Sequence, residues 1–172
     1  MKLVLIQSIV LVFLVSNISQ AQIFPRNHYN NGFDFFSKNS GFRIGGTYLD
    51  KDKITIGETE YKTGHFIMQF GYQKEHLISN TNEKGEFYFA NILLFGGLEK
   101  NLFFPSWTGL IGLRTNSNFQ FGIGPNVSLA GVSLTLSAGK NFEWGNANVP
   151  LDLAVIFSKN GLRISLLTGL LF

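Results

Sequence analysis

An all-β fold is what this sequence predicts: an antiparallel up-and-down transmembrane β-barrel of eight strands. Three observations carry the expectation. Apolar residues alternate with small or polar ones through a series of short segments; Gly, Asn and Pro punctuate the intervals; and the non-apolar parity carries Ser, Thr, Asn, Gln and Gly instead of Lys and Glu. Ten strands result if Ile54 to Glu58 pairs independently.

Composition narrows the class. The 172 residues suit one domain, and a charged fraction of 15% beside eighteen Phe and nineteen Gly fits strands and turns better than a helical bundle. A formal charge of +3, evenly mixed, gives no reason to expect nucleic acid as a partner. Without cysteine there is no disulfide, thiolate metal site, thiol catalysis or lipid-modified cysteine.

Residues 1–21 read as a secretory signal peptide. Lys2 supplies the positive start, Leu3 to Val15 the apolar run, and Ser19-Gln20-Ala21 a small-x-small site that predicts cleavage after Ala21. The run is short for a spanning helix, which needs about twenty apolar residues, so an uncleaved anchor is the weaker reading. Residues 22–39 are irregular, broken by Pro25, Asn27, Asn30, Asn31 and Gly32. They form an arm, with Phe33, Phe35 and Phe36 able to pack or to make a short extra strand; it either plugs the barrel or lies in the periplasm. The barrel is expected over 40–172.

Its first segment is Gly41 to Leu49, with Phe42, Ile44 and Tyr48 on one face and Arg43 and Thr47 on the other. Asp50 to Tyr61 is polar and charged, a long loop or a strand extension around Ile54 and Ile56. Lys62 to Lys74 follows, with Phe66, Met68, Phe70 and Tyr72 opposite His65, Ile67, Gln69, Gly71 and Gln73. After the Asn80 to Gly85 turn, Glu86 to Leu98 is apolar on both faces, so its facing stays open. Trp107 to Arg114 is the fourth segment, beyond Glu99-Lys100-Asn101 and Pro105.

The second half alternates more cleanly. Phe119, Phe121, Ile123, Pro125, Val127 and Leu129 oppose Asn118, Gln120, Gly122, Gly124, Asn126 and Ser128. Ala130-Gly131 turns into Val132, Leu134, Leu136, Ala138 and Phe142, alternating with Ser133, Thr135, Ser137, Gly139 and Asn141. Gly145 to Asn148 turns again, into Val149, Leu151, Leu153, Val155 and Phe157. Asn160-Gly161, a pair favoured in type I′ hairpins, leads into Leu162 to Phe172.

Which face meets lipid follows from cost. Arg or Lys at the bilayer midplane costs about 2–4 kcal/mol and near the interface about 0–1. Arg43, Asp152 and Arg163 share the polar parity and point inward; Lys74 and Lys140 lie on the apolar parity near strand ends, within reach of headgroups. Tyr48, Tyr72, Trp107, Phe142, Phe157 and Phe172 are placed for an interfacial girdle or for core packing.

The leader, the alternating segments and Phe172 resemble the small Gram-negative outer-membrane β-barrels of the OmpA/OmpX-like kind, and the Gly- and Asn-rich hairpins resemble outer-membrane barrels of Bacteroidetes. The resemblance covers Gly41 to Phe172. It implies outer-membrane lipid around the barrel and recognition by the barrel assembly machinery through a terminal signal, here Leu166, Thr168, Leu170 and Phe172. Thr168 departs from the large apolar or aromatic residue usual at that position.

Candidate chemistry is sparse. His28, His65 and His76 show no metal spacing, and His65 reads as a satisfied interior residue. A lipid A esterase of barrel type would use a Ser-His pair, for which no local motif exists here. Gly122-x-Gly124-Pro125 lacks the helix and the Lys-Ser/Thr of a phosphate loop. No catalytic role, metal or cofactor is therefore expected. The interior charges Arg43, Asp152 and Arg163 form a candidate cluster, with Asp152 paired to Arg163 and Arg43 nearby, because buried charges need partners. The expected role is surface contact, ligand capture or envelope integrity through exposed loops, with no ligand specified. A secreted or periplasmic soluble barrel holding a small apolar ligand is the alternative.

Overall fold

The structure is a computed structural model that describes residues 39–81, 85–159 and 161–172. The expected signal peptide and all of the expected arm except Asn39 lie outside these. Among the described residues ten strands follow in order: β1 (Gly41–Leu49), β2 (Lys53–Ile56), β3 (Thr59–Lys62), β4 (Phe66–Thr81), β5 (Gly85–Gly96), β6 (Phe104–Arg114), β7 (Phe119–Ser128), β8 (Gly131–Trp144), β9 (Ala147–Ser158) and β10 (Gly161–Leu171). Eight of them close a barrel in the order β1, β10, β9, β8, β7, β6, β5, β4, while β2 and β3 form a separate two-stranded sheet. The all-β, antiparallel, up-and-down architecture is as expected, and so is its strand count of eight. The ten-strand alternative falls because Lys53–Ile56 pairs only with Thr59–Lys62 and not with the barrel.

Closure runs through the first and last strands. Gly41 pairs with Leu171 on β10 and with Gln73 on β4, so β1 has partners on both edges and leaves no open ladder. Just beyond, the Ser40 and Phe172 backbones exchange hydrogen bonds of 3.0 and 2.9 Å, so β1 and β10 begin and end together at the terminus end.

The register also fixes the tilt. Followed from Gly41 through Gln73, Ile92, Thr108, Asn126 and Ser133, then across β9 and β10 at positions 158 and 161, it returns to β1 at position 51, ten residues beyond its start. With a rise of about 3.3 Å per residue and strands about 4.8 Å apart, that stagger over eight strands tilts them by about 40° from the barrel axis.

Turns account for the boundaries. Gly131 (φ 111°) and Gly145 (φ 61°) supply the positive φ at the β7–β8 and β8–β9 reversals, and Asn118 (φ 63°) does so before β7, where Thr115 N–H donates to Phe119 O at 2.7 Å. β4 starts at Phe66, later than the expected Lys62, because residues 59–62 pair with β2. It then runs on to Thr81, so Tyr72 lies in mid-strand instead of near an end. Leu98, expected in the third segment, belongs to a short 3₁₀ turn, Leu98–Lys100.

Candidate functional site: an apolar wall around a layered lumen

The outer wall is built from the apolar parity of every barrel strand. Phe42 is 73% exposed beside Arg43 at 2%, and Leu153 is 48% exposed beside Asp152 at 9%. The same alternation puts Met68, Phe70, Ile111, Phe121, Ile123, Leu134, Leu136, Leu166 and Leu170 outside. β5, whose facing the sequence leaves open, turns Tyr88, Ala90, Ile92 and Leu94 inward and Phe87 outward. Lys140 is on this wall near the end of β8, its ammonium 4.9 Å from the Phe119 ring centroid and 5.7 Å from that of Phe142. Thus β8's one outward cation is flanked by aromatic rings near a strand end.

Inside, the terminus end is charged. Glu75 and Arg114 are almost fully buried and meet in a two-pronged ion pair, Nη1 to Oε1 at 2.9 Å and Nη2 to Oε2 at 2.8 Å. Asn39 also donates to Glu75, and the Arg114 guanidinium covers the Tyr88 ring at 4.8 Å. Arg114 donates to Gln120 Oε1 at 3.0 Å, Gln120 Nε2 donates to Asp152 Oδ1, and Arg43 Nη2 donates to Asp152 Oδ2. A continuous polar network thereby crosses the lumen from β4 through β6, β7 and β9 to β1. Glycines clear its path: a Cβ at Gly139 would stand 1.9 Å from Asp152 Oδ1, and one at Gly169 would stand 3.0 Å from Arg43 Cδ.

The structure brings Arg43 and Asp152 together and leaves Arg163 elsewhere, which corrects the expected Asp152–Arg163 pair. Arg163 lies opposite Ile156 on β9, four residues from Asp152, a separation of about 13 Å along the strand. The stagger instead carries Arg43 to the level of Asp152. Glu75, Arg114 and Gln120 belong to the same network and were missed. Their signal was the inward parity itself, continued one step beyond Gln73 for Glu75 and through Gly112 for Arg114.

The middle of the lumen is apolar, packed by Ala90, Ile92, Leu94, Leu110 and Leu167. Toward the other end the lining turns polar again. Thr47 shares hydrogen bonds of 2.7 Å with Gln69 and Ser165, and Arg163 Nη2 donates to Asn126 Oδ1 at 3.2 Å and Ser133 Oγ at 3.3 Å. The β2–β3 hairpin sits at this end, with Ile54 buried against Leu49 and Ile67, and Ile56, Phe104 and Ala130 packed around them. Lys100 pins the hairpin's return, its ammonium donating to the Thr63 and Phe66 carbonyls.

Two expectations about single motifs change. His65 is exposed at the rim and not interior, because β4 begins one residue later; its Nδ1 is 3.0 Å from Leu49 O and its ring stacks on Tyr48. Gly124 lies within β7, where a Cβ would fall 1.8 Å from the Gly109 carbonyl oxygen, so close backbone approach explains that glycine. Of the candidate terminal signal, Leu166 and Leu170 face outward on β10, Thr168 shares their parity, and Phe172 is exposed just past the strand.

No family model and no curated protein matches this chain. Among solved structures it is similar to Ail, the attachment invasion locus protein of Yersinia pestis, in a crystal structure and in a second one in complex with the heparin analogue sucrose octasulfate. Each is 13% identical to this chain, spans 79% of it and 98% of the Ail chain, and has a TM-score of 0.27. Those descriptions are of Ail.

Proposed function

We propose that this chain is an integral outer-membrane β-barrel without catalytic activity. In this reading it is exported behind a leader cleaved after Ala21 and meets its surroundings through the loops at the hairpin end. The outer wall carries the reading. A closed barrel whose exposed parity is Phe, Leu, Ile and Met has no soluble surface to offer water, whereas hydrocarbon accepts it without cost. A soluble barrel holding an apolar ligand inverts this arrangement, with apolar residues lining the cavity and charges outside. Here charged groups and Ala90, Ile92, Leu94, Leu110 and Leu167 fill the lumen.

The hairpin end is the surface we assign to contact with the exterior. Glu58 at the hairpin's turn and Glu60, Tyr61 and Lys62 along its second strand are all exposed. Outer-membrane lipid and, during biogenesis, the barrel assembly machinery are the partners of this reading, the latter acting on Leu166, Thr168, Leu170 and Phe172. Expression in a Gram-negative host tests it. The chain is expected in the detergent-extracted outer-membrane fraction, migrating differently on gels before and after boiling; a chain recovered soluble without detergent overturns the reading. Removing Phe172 is expected to lower the inserted fraction.

A further inference from the structure

Arg163 differs from the other two arginines of the lumen. Arg43 and Arg114 each hold a carboxylate, whereas among the described residues the Nη2 of Arg163 donates to the neutral oxygens of Asn126 and Ser133 and no carboxylate pairs with it. Its Nε is buried without a hydrogen-bond partner among the described residues. Arg163 is half-buried, and a guanidinium partly withdrawn from water without a counter-charge carries a desolvation cost that an anion relieves.

A cavity adjoins it. Beneath Ile54 of the hairpin lies a partly open space of about 30 Å³ whose polar lining is Thr47, Gln69, Ser106, Ser128 and Arg163. No acidic residue lines it. Thr47 holds the Gln69 carboxamide oxygen, which leaves the amide nitrogen to donate elsewhere. Ser106 adds a hydroxyl, while the Ser128 hydroxyl donates to Gly131 O at 3.4 Å, so the lining combines one cation with the neutral donors of Gln69 and Ser106. On the hairpin side of Arg163 a smaller space is lined by Asp50, Lys51 and Lys53, the last paired with Glu60 at 3.0 Å. The volume suits one or two water-sized particles, and a monatomic anion fits it.

We propose that Arg163, with Gln69 and Ser106, forms a halide-binding site of the chloride class, roofed by the β2–β3 hairpin. The site is independent of whether the barrel lies in a membrane. An anion held there neutralises Arg163 and fastens the hairpin's apolar seat over the mouth.

The test uses the full chain folded in detergent micelles. Its melting midpoint is measured in sodium chloride and in sodium gluconate at matched ionic strength. Chloride is expected to raise the midpoint by a few degrees over gluconate, since an anion that binds only the folded state stabilises it. Arg163→Gln is expected to remove that difference. Should this variant not fold, wild-type crystals soaked in bromide read the site directly by anomalous scattering, with a peak expected against the Arg163 guanidinium. Equal midpoints in the two salts, an undiminished chloride effect in Arg163→Gln, or no bromide peak at Arg163 overturns the proposal.

Discussion

Glu75 and Arg114 make the pair on which the lumen's terminus end depends. Both are buried; removing Arg114 leaves the Glu75 carboxylate without its cation, and removing Glu75 leaves Arg114 only the longer ion pair to Glu86 at 3.4 Å. Glu75→Ala is expected to destabilise the barrel by about 3–5 kcal/mol, read by urea unfolding in lipid vesicles, and Arg114→Ala added to it should recover part of the loss. Gly139 is a second sensitive point, because Asp152 occupies the space a side chain would take. Gly139→Leu is expected to cost about 1–3 kcal/mol by the same unfolding measurement. At this scale the sequence showed which residues face inward, since parity alone sorts Arg43, Asp152 and Arg163 to the polar side. It did not show which of them meet, because contacts across the lumen follow the stagger between strands, which no single segment records.

The β2–β3 hairpin is the element with the greatest independence. It shares no ladder with the barrel and is held by Ile54 in its apolar seat, by the Lys100 contacts and by Thr63 and Gly64 N–H bonds to Asp52 O. Ile54→Asp is therefore expected to raise hydrogen exchange over residues 50–65 while leaving the boiled-versus-unboiled gel shift intact. Lys53 and Glu60 pair at 3.0 Å on the hairpin's exposed face, and that hydrogen bond raises the Lys53 pKa above its ordinary 10.5. The pair's contribution is complete below the ordinary value and is lost as pH rises through the raised one. Because the lysine is fully solvated, Lys53→Met should leave the unfolding midpoint near that of the wild type at pH 7. The hairpin was only half legible in the sequence. Ile54 and Ile56 marked a strand-like stretch, but an isolated apolar residue among charges does not say whether it extends a barrel strand or folds back over the mouth.

For the molecule as a whole, eight alternating segments and their turns were enough to give the closed barrel, because a period of two with one apolar face admits few other solutions. The layering of the lumen, charged, then apolar, then polar beneath the hairpin, was not legible, since β5 is apolar on both faces and only closure decides which face turns in. The outer wall is where the account is most exposed to test, and β8 samples it along one strand: Val132 near one end, Leu136 in the middle and Phe142 near the other, all outward. The measurement is the unfolding free energy in lipid vesicles of Val132→Arg, Leu136→Arg and Phe142→Arg. A wall in contact with hydrocarbon predicts a loss of about 2–4 kcal/mol for Leu136→Arg and of about 0–1 for the other two. A cost that is flat along the strand, or greatest at its ends, would contradict the membrane-embedded barrel.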